Sequence, residues 1–188
     1  MMYILSEYGG VIMARKIITI TRQYGSGGRE IGQRLAQSLG IEFYDNRLLE
    51  IAAKDSGIHK NHFEENDEKR TNSFLYLLST TYGQGGIPFD DTLFFAQLNA
   101  IQKVASEHAC VIIGRCADYA LSEYDNCLNI FIHGDQKCKI ERIMRKYELN
   151  DQKAKEMMIK KDKQRQSYYN YYSSKKWGRA DSYDLTVN

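Results

Sequence analysis

Residues 16–21 (Lys-Ile-Ile-Thr-Ile-Thr) form a β-branched run that stops at a cluster of glycines, after which Ile31, Leu35 and Leu39 recur every fourth residue up to Gly40. A strand, a glycine-rich loop and a helix are predicted in that order. A short strand over 41–44 leads into a second helix over 45–55, with Asp45 as N-cap and Gly57 as its stop. Residues 59–72 are almost wholly polar, and Phe74, Leu75, Leu77 and Leu78 form an apolar patch before the glycine-rich segment 83–88, so this region reads as a mobile insert. Phe94, Leu98, Ile101 and Ala105 mark one face of a long helix that runs into a buried strand at 110–113. A further buried strand covers 128–133, and Ile140, Ile143, Met144 and Tyr147 define the helix behind it. From 150 to 172 the pattern is helical but weakly amphipathic, with basic residues interleaved with Met157, Met158 and four tyrosines; its packing in the free protein is expected to be incomplete. Residues 183–187 read as a last strand. Five short strands separated by helices imply an α/β fold, a parallel sheet with helices on both faces, because every parallel connection needs a crossover.

The 188 residues suit one domain, expected over 13–188. Met13 directly precedes Ala-Arg-Lys and the first strand, so residues 1–12 read as an N-terminal extension from an upstream start. The longest unbroken apolar stretch, residues 109–113, is far below the roughly 20 residues of a membrane helix. The N-terminal segment also lacks the basic and apolar regions of a signal peptide, and a cytoplasmic protein without a membrane partner is expected. Cys110, Cys116, Cys127 and Cys138 have no zinc-site spacing, so reduced thiols and no protein-built metal site are expected. Charge changes the picture more. The net value is only +2, but residues 133–188 carry 14 Lys and Arg against 8 Asp and Glu, a net +6, while the remainder nets −4. The C-terminal third should attract anions. A nucleic-acid partner for the Lys- and Tyr-rich stretch 153–179 ranks last, since the chain as a whole offers little non-specific attraction.

In open parallel sheets ligands bind at the carboxyl ends of the strands. Here the first strand delivers Arg22-Gln-Tyr-Gly-Ser-Gly-Gly-Arg-Glu30 to a helix start. Gly25, Gly27 and Gly28 let backbone N–H groups approach an anion closely, and the helix dipole adds positive potential. Phosphate binding is the functional reading of that loop, and a tight strand-to-helix turn is the plain one.

Over residues 16–188 the chain resembles the cytidylate kinase-like family, a branch of the P-loop nucleoside monophosphate kinases. The likeness rests on Ile20-Thr-Arg-Gln-Tyr-Gly-Ser-Gly-Gly-Arg-Glu-Ile-Gly32, on Phe43-Tyr-Asp45, Val111-Ile-Ile-Gly-Arg115, Asn129-Ile-Phe-Ile132, Asp162-Lys-Gln-Arg165 with the following Tyr168-Tyr169, Lys176-Trp-Gly178 and Tyr183-Asp-Leu185. It implies a P-loop kinase-like three-layer fold with a helical monophosphate-binding insert, about 58–92, and an arginine-bearing lid, about 142–177. The implied activity is ATP-dependent phosphoryl transfer, with magnesium, to a nucleoside monophosphate, CMP or dCMP foremost. Laid over G-x-x-x-x-G-K-[ST], however, the first glycine falls on Arg22, the lysine on Gly28, and the magnesium-binding hydroxyl is missing near Arg29-Glu30. The alternative is therefore a nucleotide-binding module with little or no turnover.

The resemblance implies that ATP contacts Arg22, Gly25, Ser26, Gly27, Gly28, Arg29 and Glu30. Glu30 either holds magnesium through water or is a favourable first-turn acid. Arg142 and Arg145 share a helix face and are lid arginines or solvated ones. The monophosphate side is assigned Asp45, Arg47, Arg115, Cys116, Asp118, Asp162 and Arg165. Asp45 has the N-cap as its alternative role. Gly114-Arg115-Cys116 resembles a Gly-Arg-Asp motif whose arginine meets the monophosphate and whose acid contacts the cytosine amino group; here a cysteine stands at the acid, and Asp118 is the nearest carboxylate. Asp162 and Arg165 match an Asp-x-x-Arg grip or form an intrahelical ion pair. Arg29, Arg115 and Arg165 are the expected catalytic charges, because phosphoryl transfer is chiefly positioning plus charge stabilisation. Tyr168, Tyr169, Tyr171, Tyr172 and Trp177 are expected to pack rather than stack on a base, and the four histidines, scattered along the chain, have no catalytic partner.

Overall fold

The computed structural model describes residues 17–58, 61 and 89–188. In chain order these form β1 (Ile17–Arg22), α1 (Gly28–Leu39), β2 (Glu42–Tyr44), α2 (Arg47–Ser56), α3 (Phe89–Glu107), β3 (Cys110–Ile113), α4 (Ala117–Ala120), β4 (Cys127–Ile132), α5 (Gln136–Tyr147), α6 (Asp151–Ser173), a short 3₁₀ turn (Ala180–Ser182) and β5 (Leu185–Val187). The expected insert at about 58–92 and the extension at 1–12 lie outside the described residues, apart from Ile58, Asn61 and the first turn of α3.

All four strand pairs are parallel and the order is β2-β3-β1-β4-β5. Strand β1 is central, so both its faces need cover, and its near-continuous β-branched run supplies it. Ile17 joins Leu48, Leu49, Ala100, Ile101 and Val104 on the α2–α3 face. Ile18 and Ile20 meet Val111, Ile113, Ile130 and Ala36 on the α1 face. Gly32 lets α1 lie against the sheet: a Cβ there would come within 2.6 Å of Ile113 Cδ1 and 3.0 Å of Ile20 Cδ1. That close approach sets the helix start directly beyond the end of β1.

Three expectations shift. Helix α2 begins at Arg47 with Asn46 at its N-cap position, and Asp45 does not cap it, because the Asp45 carboxylate is taken by Arg29 at 2.5 Å. The last strand is only Leu185–Val187; Tyr183 is turned into the aromatic cluster instead, stacked on Phe131 with centroids 5.0 Å apart. Helix α6 is packed along its length, with Ala154 and Met158 against Ile140 and Ile143 of α5, and Tyr168 and Tyr169 against Phe94 and Cys116. Its weak periodicity has a specific cause. The inward stripe Ala154, Met158, Asp162, Arg165, Tyr169, Ser173 runs at helical spacing, with a charged pair in its middle.

Tyr168, Tyr169, Tyr172 and Trp177 pack as expected: Tyr172 stacks on Phe94 at 3.8 Å and Trp177 meets Phe131 edge-on at 5.4 Å, whereas Tyr171 is exposed. All four cysteines are free thiols, and burial pushes Cys110 up to about 12. No helix among the described residues is long and apolar enough to cross a membrane.

Candidate active site

The chain leaves β1 through Gln23–Gly27 and enters α1 at Gly28. Gly25 and Gly27 hold φ of +82° and +84°, in the left-handed region that a side chain disfavours. Ser26 does not face outward: its hydroxyl donates to the Gln23 carbonyl at 2.9 Å and accepts from the Gly28 N–H at 3.3 Å. The loop is thus closed on itself, with its glycine backbone lining an open cleft of about 580 Å³.

The two C-terminal helices fix this loop from behind. Asp162 Oδ1 accepts from the Tyr24 N–H at 2.6 Å, and Arg165 donates to the Arg22 carbonyl at 3.2 Å while lying 5.3 Å over the Tyr24 ring. The buried Lys139 ammonium donates to Gln23 Oε1 at 2.7 Å, and the same oxygen accepts from the Gly134 N–H. Burial raises the Asp162 carboxyl above its usual range, against the opposing Tyr24 N–H and the charges of Lys139, Arg165 and Arg22.

Six cationic side chains line the cleft (Arg22, Arg29, Arg142, Arg145, Lys146 and Arg165) against a single carboxylate, Glu30. A wall of that sign concentrates anions, and bidentate arginine matches phosphate geometry. The donor set suits phosphate better than a metal: Glu30 is paired with Arg142 at 3.0 Å and Asp45 with Arg29. No group of three or more metal-ligating side chains occurs among the described residues.

A second, small pocket of about 20 Å³ adjoins the first and shares Arg22 and Arg165 with it; Thr21, Arg115, Cys116, Tyr168 and Trp177 are also in its wall. Gly114, Arg115 and Cys116 all have positive φ, at 68°, 60° and 54°. Two consecutive non-glycine residues in that region mark strain of the kind stored at functional sites. Arg115 is buried, donates to Asn46 Oδ1 at 3.2 Å and lies 4.0 Å from Asp45, so Asp45 stands between Arg29 in the first turn of α1 and Arg115, two residues past β3.

Five expected residues are in neither cleft wall: Ser26, Asp45 and Asp162, whose contacts are given above, and Arg47 and Asp118. Arg47 is exposed, pairs with Glu42 at 3.1 Å and lies over the Tyr44 ring. Asp118 is 2% exposed and accepts from Tyr169 Oη at 2.5 Å, so it lines neither pocket. Burial raises the Asp118 carboxyl, opposed by the Tyr169 hydrogen bond and the Lys175 charge. A raised carboxyl contributes stability that is full below its ordinary value and is lost as pH rises through the folded one. Stability relative to Asp118→Asn is therefore expected to fall between pH 4 and pH 7 in urea titrations. An equal difference at both pH values would contradict it.

Lys139, Lys146, Gln23 and Tyr24 belong to the site and are absent from the sequence-based set. The available signal was the stripe Lys139, Arg142, Lys146 at helical spacing on α5.

The profile of the cytidylate kinase-like family matches residues 17–188. The chain belongs to that family. Its central β1, with a glycine loop at the carboxyl end of a five-stranded parallel sheet, is the α/β P-loop kinase fold. Among solved structures, an uncharacterized protein from Eubacterium ventriosum is 31% identical with a TM-score of 0.69, covering 91% of this chain and 86% of that one. TT1252 from Thermus thermophilus is 12% identical with a TM-score of 0.50 over 91% and 86%. A shikimate kinase from Bacteroides thetaiotaomicron is 16% identical with a TM-score of 0.49 over 92% and 85%. No curated protein matches the chain. Four of the six cleft cations stand on α5 and α6, and the other two, Arg22 and Arg29, on β1 and α1.

Proposed function

We propose that the protein transfers the γ-phosphoryl group of ATP to a nucleoside monophosphate, CMP or dCMP foremost, releasing ADP and the diphosphate. An oxygen of the acceptor phosphate attacks the γ-phosphorus, the bond to the β-phosphate oxygen breaks, and ADP leaves. The observation that carries this reading is the convergence of six cationic side chains on the glycine loop, with Arg22 and Arg165 shared by an adjoining second pocket. Such a reaction asks little covalent chemistry of the protein. It needs two phosphate sites side by side and positive charge at their junction. In this reading Arg29, Arg142 and Arg145 meet the ATP phosphates, Arg115 meets the acceptor phosphate, and Arg165 serves both. Asp162 and Lys139 are positioning residues that hold the loop.

ADP release measured with CMP, dCMP, UMP, AMP and GMP tests it, and turnover with one acceptor is expected. ATP binding without turnover for every acceptor would favour a nucleotide-binding module, a reading supported by the missing loop lysine and the paired Glu30.

Base choice gives a sharper check. Cys116 is buried beside Arg115, and its φ of 54° is one that aspartate tolerates better than most residues. Cys116→Asp is expected to raise the ratio of kcat/KM for CMP over UMP by about tenfold, since a carboxylate accepts from the cytosine amino group and a thiol does so poorly. An unchanged ratio would mean that the base is read elsewhere.

A further inference from the structure

The cleft's oxygen donors are already engaged within the protein. Glu30 Oε2 is 3.0 Å from Arg142 and Oε1 is 3.8 Å from Arg34. The Ser26 hydroxyl is turned into the loop, and the carboxylates behind the wall are held by Arg29 and by the Tyr24 N–H. Magnesium in phosphoryl-transfer sites leans on one or two protein carboxylates together with phosphate oxygens and water in a near-octahedral shell. At this loop a guanidinium stands instead. A Cβ on Gly27 would lie 3.0 Å from Arg142 Nη1 and 3.1 Å from its Cζ, so the Arg142 head group is laid directly on the glycine backbone. It arrives from α5, and Glu30 at the start of α1 holds it there.

Building on the nucleotide reading above, we infer that this cleft takes the triphosphate as the magnesium-free polyanion, with Arg142 replacing both the loop lysine and the metal at the phosphate oxygens. Two features make this physically consistent. A divalent cation added inside a wall of six cations is repelled by it, whereas the full charge of the free triphosphate is attracted. A guanidinium also offers forked donors in a plane that two phosphate oxygens can accept together, which a compact ammonium does not.

Calorimetric titration of the whole chain with ATP, once in EDTA and once in excess magnesium, tests the inference, with Arg142→Ala and Arg142→Lys beside the native protein. Arg142 is 44% exposed, so both variants should fold. ATP is expected to bind in EDTA at least as tightly as in magnesium. Arg142→Ala should weaken the EDTA titration by about tenfold or more, with lysine restoring only part of it. Binding that appears only with magnesium, or an Arg142→Ala titration in EDTA equal to the native one, would overturn the inference and leave nucleotide binding standing. No binding in either buffer would overturn the nucleotide reading and this inference with it.

Discussion

Arg165→Ala is expected to lower kcat by about 10³-fold or more while changing ATP affinity far less. Arg165 is one of two residues in the walls of both pockets, and its place is fixed by the hydrogen bond to the Arg22 carbonyl and by the Tyr24 ring beneath it. A charge held at the junction of donor and acceptor phosphates acts mainly on the transition state, where negative charge is shared between them, so its loss falls on kcat. Arg165→Lys should rescue poorly, because an ammonium cannot reproduce the planar fork. A near-normal kcat in Arg165→Ala would return this residue to the role of a loop brace.

Gly27→Val is expected to abolish measurable ATP binding, by about 100-fold or more, and to leave the sheet folded. Its φ of +84° is strained for any side chain and most for a β-branched one, at a cost of roughly 1–2 kcal/mol. The added atoms would also displace the Arg142 guanidinium from the loop. The strain alone should lower Tm by a few degrees. Gly40→Ala separates the two effects: Gly40 also has a positive φ, +65°, but nothing lies within 4 Å of its Cβ position. That variant should lose stability and keep its ATP affinity. Equal ATP affinity in Gly27→Val and the native protein, by calorimetry, would remove the loop from the site.

The centre of the sheet was legible in the chain because β1 and β3 are buried on both faces and therefore read as short apolar runs, each followed by a glycine-containing turn. The run Cys110–Ile113 and the run ending at Arg22 are visible without any knowledge of their neighbours. Helix α6 was harder. Its inward stripe contains Asp162 and Arg165, so the residues that tie it to the loop also dilute the apolar period by which inward faces are recognised. Asp45 misled in a related way. An aspartate just before a helical pattern reads as an N-cap, and only the proximity of Arg29, 16 residues earlier in sequence, redirects its carboxylate. The loop glycines and the arginines of α5 were each visible, but their contact was not, because nothing local says that α5 lies over the loop. Lys139 was missed for the same reason: a buried lysine is rare enough that a basic residue on α5 reads as solvated until its partner Gln23 is known.

Hydrogen exchange of the whole chain with and without ATP tests the central claim most directly. Phosphates held by the glycine loop should slow exchange at amides 23–30 and along the α5 segment 139–147, with a further gain over 162–169 when the acceptor nucleotide is added. Slowing confined to other surfaces, or an identical pattern with and without ATP at concentrations where it binds, would contradict the account.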